Sequence, residues 1–206
     1  MLIRHSAGLL ACLLPVSAIA QVVCALGPGA ASYQPSADQR PSGDAMQIAS
    51  RVNVAEKTIC AANCPAVALF RNSTAPNAAL IANADQLKLV YAPQFFAAVY
   101  ASFGDAGILG IIAHELGHAI DDTIGAAWIS TGWTPELRAD SWAGCTLAKS
   151  DLKPADMHAA LAALAKYPSP AHPSWNLRLP AIRSGYTHCG GASATFDSGI
   201  QGTKPK

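Results

Sequence analysis

Charge is scarce in this chain. Lys and Arg number 14 and Asp and Glu 13 among 206 residues, for a net charge of +1. A balance this close to zero, with no basic run, gives no electrostatic footprint for nucleic acid and no polybasic patch for a membrane surface. Internal repeats are absent, which excludes solenoid and propeller architectures. No C-x-x-C pair occurs, which disfavours a cysteine-ligated zinc site. Past the N-terminus no apolar segment runs unbroken for long enough to suggest a bilayer span, so no integral membrane span is expected after signal removal. What is present is apolar: hydrophobic residues make up 51% of the chain, enough for one packed domain with ragged ends.

The N-terminus reads as a signal peptide over residues 1–20. Arg4 and His5 form a short polar head, Ala7 to Ile19 an apolar stretch, and Ala18-Ile19-Ala20 a small-x-small cleavage site before Gln21. The chain is therefore expected to be exported, to a periplasm or to the medium, where disulfides persist. Of its six cysteines, loss of Cys12 with the signal leaves Cys24, Cys60, Cys64, Cys145 and Cys189. Spacing alone leaves fifteen ways to form two bridges; the preferred pairing is Cys60–Cys64 with Cys145–Cys189, and Cys24 free.

Residues 21–43 are rich in Gly, Pro, Ser and Ala and read as a flexible lead-in. A domain over 44–189 follows, then a mobile tail over 190–206 that lacks apolar periodicity. Within the domain, Asp44 opens a helix that ends near Cys64-Pro65. Short apolar runs at 67–70, 78–82 and 87–91 read as strands. Pro93 starts a helix carrying Phe95, Phe96 and Tyr100, and a second begins near Asp105. Thr134 and Pro135 are a good N-cap and first helical residue. Further helices start at Pro154 and Ser174, the last carrying a distorting Pro180. The sum is an α+β fold, mainly helical with a small β-sheet.

His114-Glu115-Leu116-Gly117-His118 is the most informative segment. It is an H-E-x-x-H motif in a helix that is apolar around most of its circumference. Residues four apart share a helix face, so both imidazoles reach one metal ion and Glu115 reaches a water beside it. Polar groups inside so apolar a helix need partners, and a metal supplies them. A catalytic zinc takes three protein ligands and keeps one open position. A third histidine in the pattern H-E-x-x-H-x-x-G-x-x-H is excluded, because Asp121 and Ile124 occupy the required places. Glu136, on the next long helix, is the expected third ligand. Asp140, one turn further, is expected to hold the far nitrogen of a ligating histidine, most naturally His114. Gly117 on the motif helix, with Ala143 and Gly144 on the next, is small enough to let the two helices approach closely, as a shared metal requires. Asp121 and Asp122 follow too closely on the motif helix to ligate and read as solvated residues at its end.

His114-Glu115-Leu116-Gly117-His118 followed by Glu136-Leu137-Arg138-Ala139-Asp140 resembles the gluzincin pattern, H-E-x-x-H then E-x-x-x-D. It is most similar to HtpX/BepA-like metallopeptidases and to bacterial neutral zinc metallopeptidases. His172-Pro173-Ser174 with Arg178 resembles the His-Pro segment and Arg those enzymes carry after the zinc helices, and Pro76-Asn77-Ala78 resembles the start of their substrate-facing edge strand. The resemblance spans roughly residues 75–185. It implies a zincin-like core with one Zn2+ per chain on His114, His118 and Glu136. It implies Glu115 as general base, and His172 or Arg178 as stabiliser of the oxyanion.

The expected function is that of an exported zinc-dependent endopeptidase acting on a peptide or protein substrate. Zinc-activated water would attack the peptide carbonyl, with Glu115 as general base. The substrate would lie extended along an edge strand near Ala78–Ala82. Two alternatives stand beside it: a zinc-binding but non-catalytic chaperone-like or interaction module on a protease scaffold, and a small exported domain in which the motif is accidental.

Overall fold

The computed structural model describes residues 21–25, 33–75, 77–82 and 86–200. The expected signal peptide lies outside the described residues, as does the turn at 83–85. In chain order the elements are β1 (Gln21–Ala25), α1 (Gly43–Cys60), β2 (Val67–Arg71), β3 (Ala78–Ala82), β4 (Leu87–Tyr91), α2 (Pro93–Ile124), α3 (Pro135–Lys149), α4 (Pro154–Lys166), α5 (Trp175–His188) and α6 (Ser193–Ile200). The fold is α+β, mainly helical with a small sheet.

The sheet runs in the order β1-β3-β4-β2, with β3 antiparallel to both neighbours and β2 parallel to β4. β3 therefore lies inside the sheet, and Ala78, Ala79, Leu80 and Ile81 are all fully buried. This corrects the edge-strand expectation for Ala78–Ala82: the side of β3 left open by β4 is occupied by β1, with Gln21 opposite Ala82 and Ala25 opposite Ala79.

The lead-in is also not simply flexible. Besides β1, residues 33–41 are tied to the sheet. Asn72 Nδ2 donates to Gln34 O and to Asp38 Oδ1, Lys88 pairs with Asp38 at 2.9 Å, and Gln39 bridges Arg71. The expected mobile tail likewise needs correction at its start. α6 buries Phe196 completely, and His158 Nδ1 meets Gly199 O at 2.8 Å. Phe196 and Ile200, four apart, carry the only apolar periodicity of α6, and two positions are too few to stand out in a Gly/Ser-rich stretch.

α2 is the central helix. Gly104, at φ +62°, interrupts its helical backbone, which separates the aromatic first part from the motif-bearing second part. That conformation costs glycine little because it has no Cβ. By length and composition α2 is apolar enough to cross a bilayer, with mean hydropathy 1.7, yet 56% of that window is buried within the fold. Its apolarity thus has a packing explanation, since Leu109, Ile111 and Ile112 are core residues at 0–1% exposure.

α3 crosses α2 at Gly117, where a Cβ would fall 2.5 Å from Ala139 O. No larger residue allows this approach. Gly144, in contrast, faces the backbone of α5 at Ile182, not α2. The disulfides join Cys60 to Cys64 and Cys145 to Cys189. The second pins the C-terminus of α5 to α3, closing a sequence separation of 44, for which loop entropy gives about 4 kcal/mol.

Candidate metal centre

Three segments meet at the site. α2 brings His114, Glu115 and His118, α3 brings Glu136 and Asp140, and the turn before α5 brings His172. The start of α3 is set locally: Thr134 Oγ1 accepts from Leu137 N–H, and Pro135 occupies the first turn where its missing N–H costs nothing. Glu136 is thereby fixed at the helix N-terminus with its carboxylate turned towards α2.

Glu136 Oε2 is the point of convergence. It stands 3.3 Å from His114 Nε2, 3.6 Å from His118 Nε2 and 2.7 Å from His172 Nε2. One ligand atom each from His114, Glu136 and His172 lie within 4.8 Å of one another, a group able to hold a metal ion. Ligands about 2.0–2.1 Å from a tetrahedral zinc lie roughly 3.4 Å apart. The distances from Glu136 to His114 and His118 fit that spacing; the 2.7 Å to His172 is a hydrogen bond.

The ring tautomers follow from the other nitrogens. Asp140 is buried and accepts from Arg178 through Nε and Nη2, both at 2.8 Å. Although burial alone would raise its pKa, Arg178 and His114 hold it at about 2. A carboxylate can only accept, so His114 Nδ1, 2.9 Å from Asp140 Oδ1, carries the proton. In the neutral ring, His114 Nε2 then presents its lone pair towards Glu136. Two lone pairs facing each other at 3.3 Å require a proton or a cation near them, and His172 Nε2 stands 3.1 Å from His114 Nε2. Burial opposes that proton, but Asp140 and Glu136 outweigh it and raise His114 to about 9. For Glu136, burial is likewise outweighed, here by the three histidines, which hold it far below the usual carboxylate range.

His172 is set the opposite way. Ser169 N–H donates to its Nδ1 at 2.8 Å, so in the neutral ring the proton sits on Nε2. That N–H points at Glu136, and burial lowers the pKa of the ring. His172 is thus a donor into the site. His118 Nε2 is buried and has no hydrogen-bond partner among the described residues. These features fit a metal cation, which would take the place of the proton drawn onto His114 Nε2, beside the buried nitrogen of His118 and the anionic oxygen of Glu136.

Glu115 is fully buried beside them. Leu80 N–H of β3 donates to its Oε2 at 2.9 Å, while Oε1 has no partner among the described residues. Burial raises its pKa. The Leu80 contact carries no sequence signal, because it uses backbone. The pairing of β1 with β3 shifts register here, between Val22 and Cys24, with Cys24 opposite Leu80.

Arg178 meets Asp140 through Nε and Nη2. It is 1% exposed, grips Asp140 from behind, and donates through Nη1 to Leu164 O at 3.1 Å. Where the resemblance implied an oxyanion stabiliser, Arg178 is seen donating to Asp140 and to the α4 backbone. Asp121 is also not merely solvated. It accepts from Arg138 at 2.6 and 2.9 Å and from Trp142 Nε1 at 3.0 Å, fastening the end of α2 to α3.

No family model matches the chain, and neither a curated protein nor a solved structure matches it. The functional reading therefore rests on the residues themselves.

Proposed function

We propose that this chain is an exported zinc metallopeptidase of gluzincin type, with His114, His118 and Glu136 as zinc ligands and Glu115 as general base. The observation that carries this reading is the approach of His114 Nε2 and His118 Nε2 to one oxygen of Glu136, at 3.3 and 3.6 Å; the tightest group of ligand atoms is His114, Glu136 and His172. The two disulfides fit an oxidising compartment, periplasmic or extracellular.

Zinc, when bound, supplies polarisation of the carbonyl and acidification of water. The remaining work falls to side chains. Glu115 is steadied through Oε2 by Leu80 N–H, and its Oε1 takes the proton of the attacking water and passes it to the leaving amine. His172, whose N–H meets Glu136 here, would turn that N–H to the developing oxyanion once Glu136 is engaged by the metal. Asp140 fixes the His114 ring, and Arg178 fixes Asp140, so Arg178 is a positioning residue. A peptide would pair with β3 where β1 now lies.

The test is Glu115→Gln with metal content and peptide-library digestion measured together. Stoichiometric zinc in both proteins, with hydrolysis by the wild type alone, is the expected outcome. Hydrolysis retained by the variant would remove Glu115 from the mechanism. The second reading, a zinc-binding non-catalytic module, is favoured by burial. The side chains of His114 and His172 are 0% exposed and that of Glu136 11%. Bound zinc with no hydrolysis by any form of the chain would select it.

A further inference from the structure

Glu56 lies on the inner face of α1, 6% exposed. Its Oε1 is buried and has no hydrogen-bond partner among the described residues. Beside it is a cavity of about 710 Å³ between α1, the sheet and the back of α2, lined by Val67, Leu69, Leu89, Ile112 and Leu116. That volume is in the range of small-molecule sites, roughly 300–1,000 Å³, and the wall has their composition, mostly apolar with a few polar groups. The other charged residue on the wall is Arg40, which is exposed at the rim.

A buried carboxyl without a partner lowers stability, and a neutral side chain of the same shape would fit better. Retaining it needs a reason outside the fold's own packing. We propose that this cavity is a second binding site, which receives an apolar molecule bearing a primary ammonium group, with the ammonium on Glu56 and the hydrocarbon against Leu69, Leu89, Ile112 and Leu116. Burial alone raises Glu56 to about 8, so near neutral pH an arriving ammonium displaces a proton into solvent and leaves a charge-assisted pair. Glu56 itself is far from the candidate metal ligands in sequence, although Ile112 and Leu116 of the wall neighbour them on α2, and the inference holds whether or not the chain hydrolyses peptides.

The experiment is calorimetric titration of the intact protein at pH 7 with n-octylamine, n-octanol and octanoate, which share one chain length. Saturable one-to-one binding of octylamine is expected, about 10-fold or more tighter than octanol, from the charge-assisted hydrogen bond. Repeating it in buffers of different ionisation enthalpy is expected to reveal proton release. Glu56→Gln should bring octylamine down to the level of octanol, and Ala49→Trp, which fills the cavity, should abolish both. Equal affinity for octylamine and octanol, or tighter octanoate, overturns the ammonium assignment using the wild type alone. No saturable octylamine binding overturns the site itself.

Discussion

His114 and Asp140 are joined at 2.9 Å across the contact between α2 and α3, with both side chains at 0% exposure. Asp140 in turn neutralises Arg178, itself buried. One carboxylate therefore orients a candidate ligand and compensates a cation. Asp140→Asn is expected to weaken zinc binding about 10–100-fold, because the ring loses its orienting partner. It should also destabilise the fold by about 3–5 kcal/mol, because Arg178 keeps its charge in the interior. Zinc titration with urea unfolding measures both, and unchanged zinc affinity would count against the assignment of His114.

Gly117 sets the distance between α2 and α3. Gly117→Ala places a methyl 2.5 Å from Ala139 O and 3.1 Å from its Cα, so α3 must move. Overpacking of this kind costs about 1–3 kcal/mol, and Glu136 should retreat from the histidines with loss of bound metal. Gly43→Ala, with nothing within 4 Å of the new methyl, is the control and should leave metal content unchanged. Equal metal content in both variants would show that the helix approach does not govern the site.

β1 pairs with β3, with Cys24 opposite Leu80, the residue that anchors Glu115, so under the proposed function a peptide substrate would compete with residues 21–25 for one strand position. A chain starting at Tyr33 is expected to hydrolyse extended peptides faster than one starting at Gln21. Addition of a peptide with the sequence of residues 21–25 should slow it again. Identical kcat/KM for the two chains would show that β1 is not in the substrate's place.

Glu56 and Asp140 are expected to act on stability at opposite ends of the pH scale. Burial holds Glu56 at about 8 in the fold against 4.5 ordinarily, so the folded state keeps a proton the unfolded state releases. Its contribution is full below about pH 4.5 and is lost as pH rises through 8, with an upper bound of about 5 kcal/mol at 1.36 kcal/mol per unit. Asp140, lowered from 3.8 to about 2, contributes above pH 3.8 and loses that contribution as pH falls through 2. Unfolding curves of wild type and Glu56→Gln between pH 5 and 8 should diverge, the wild type losing stability as pH rises. Parallel curves would mean that Glu56 is ionised at no cost.

The site is legible in the sequence where it depends on helix periodicity. His114 and His118, and Glu136 and Asp140, are pairs four apart, and helix geometry alone puts each pair on one face. Thr134 and Pro135 announce the start of α3, and the smallness of Gly117 marks the close helix approach. His172 could be singled out by its neighbours but not oriented. Its ring is turned by the backbone of Ser169, and backbone donors leave no trace in residue identity. The same holds for Leu80 against Glu115.

Sequence by itself determined the local chemistry: that α1 to α5 are helical, which faces carry histidine nitrogens and carboxylate oxygens, and which helix is apolar enough to need a core around it. Only the tertiary structure decided the long-range pairings. Arg178 faces Asp140 across 38 residues, and His172 meets His114 across 58. Residues 21–25 cover β3, and α6 closes over α4. The physical reason is that periodicity fixes directions within an element, whereas the partner across a gap is chosen by packing of the whole chain.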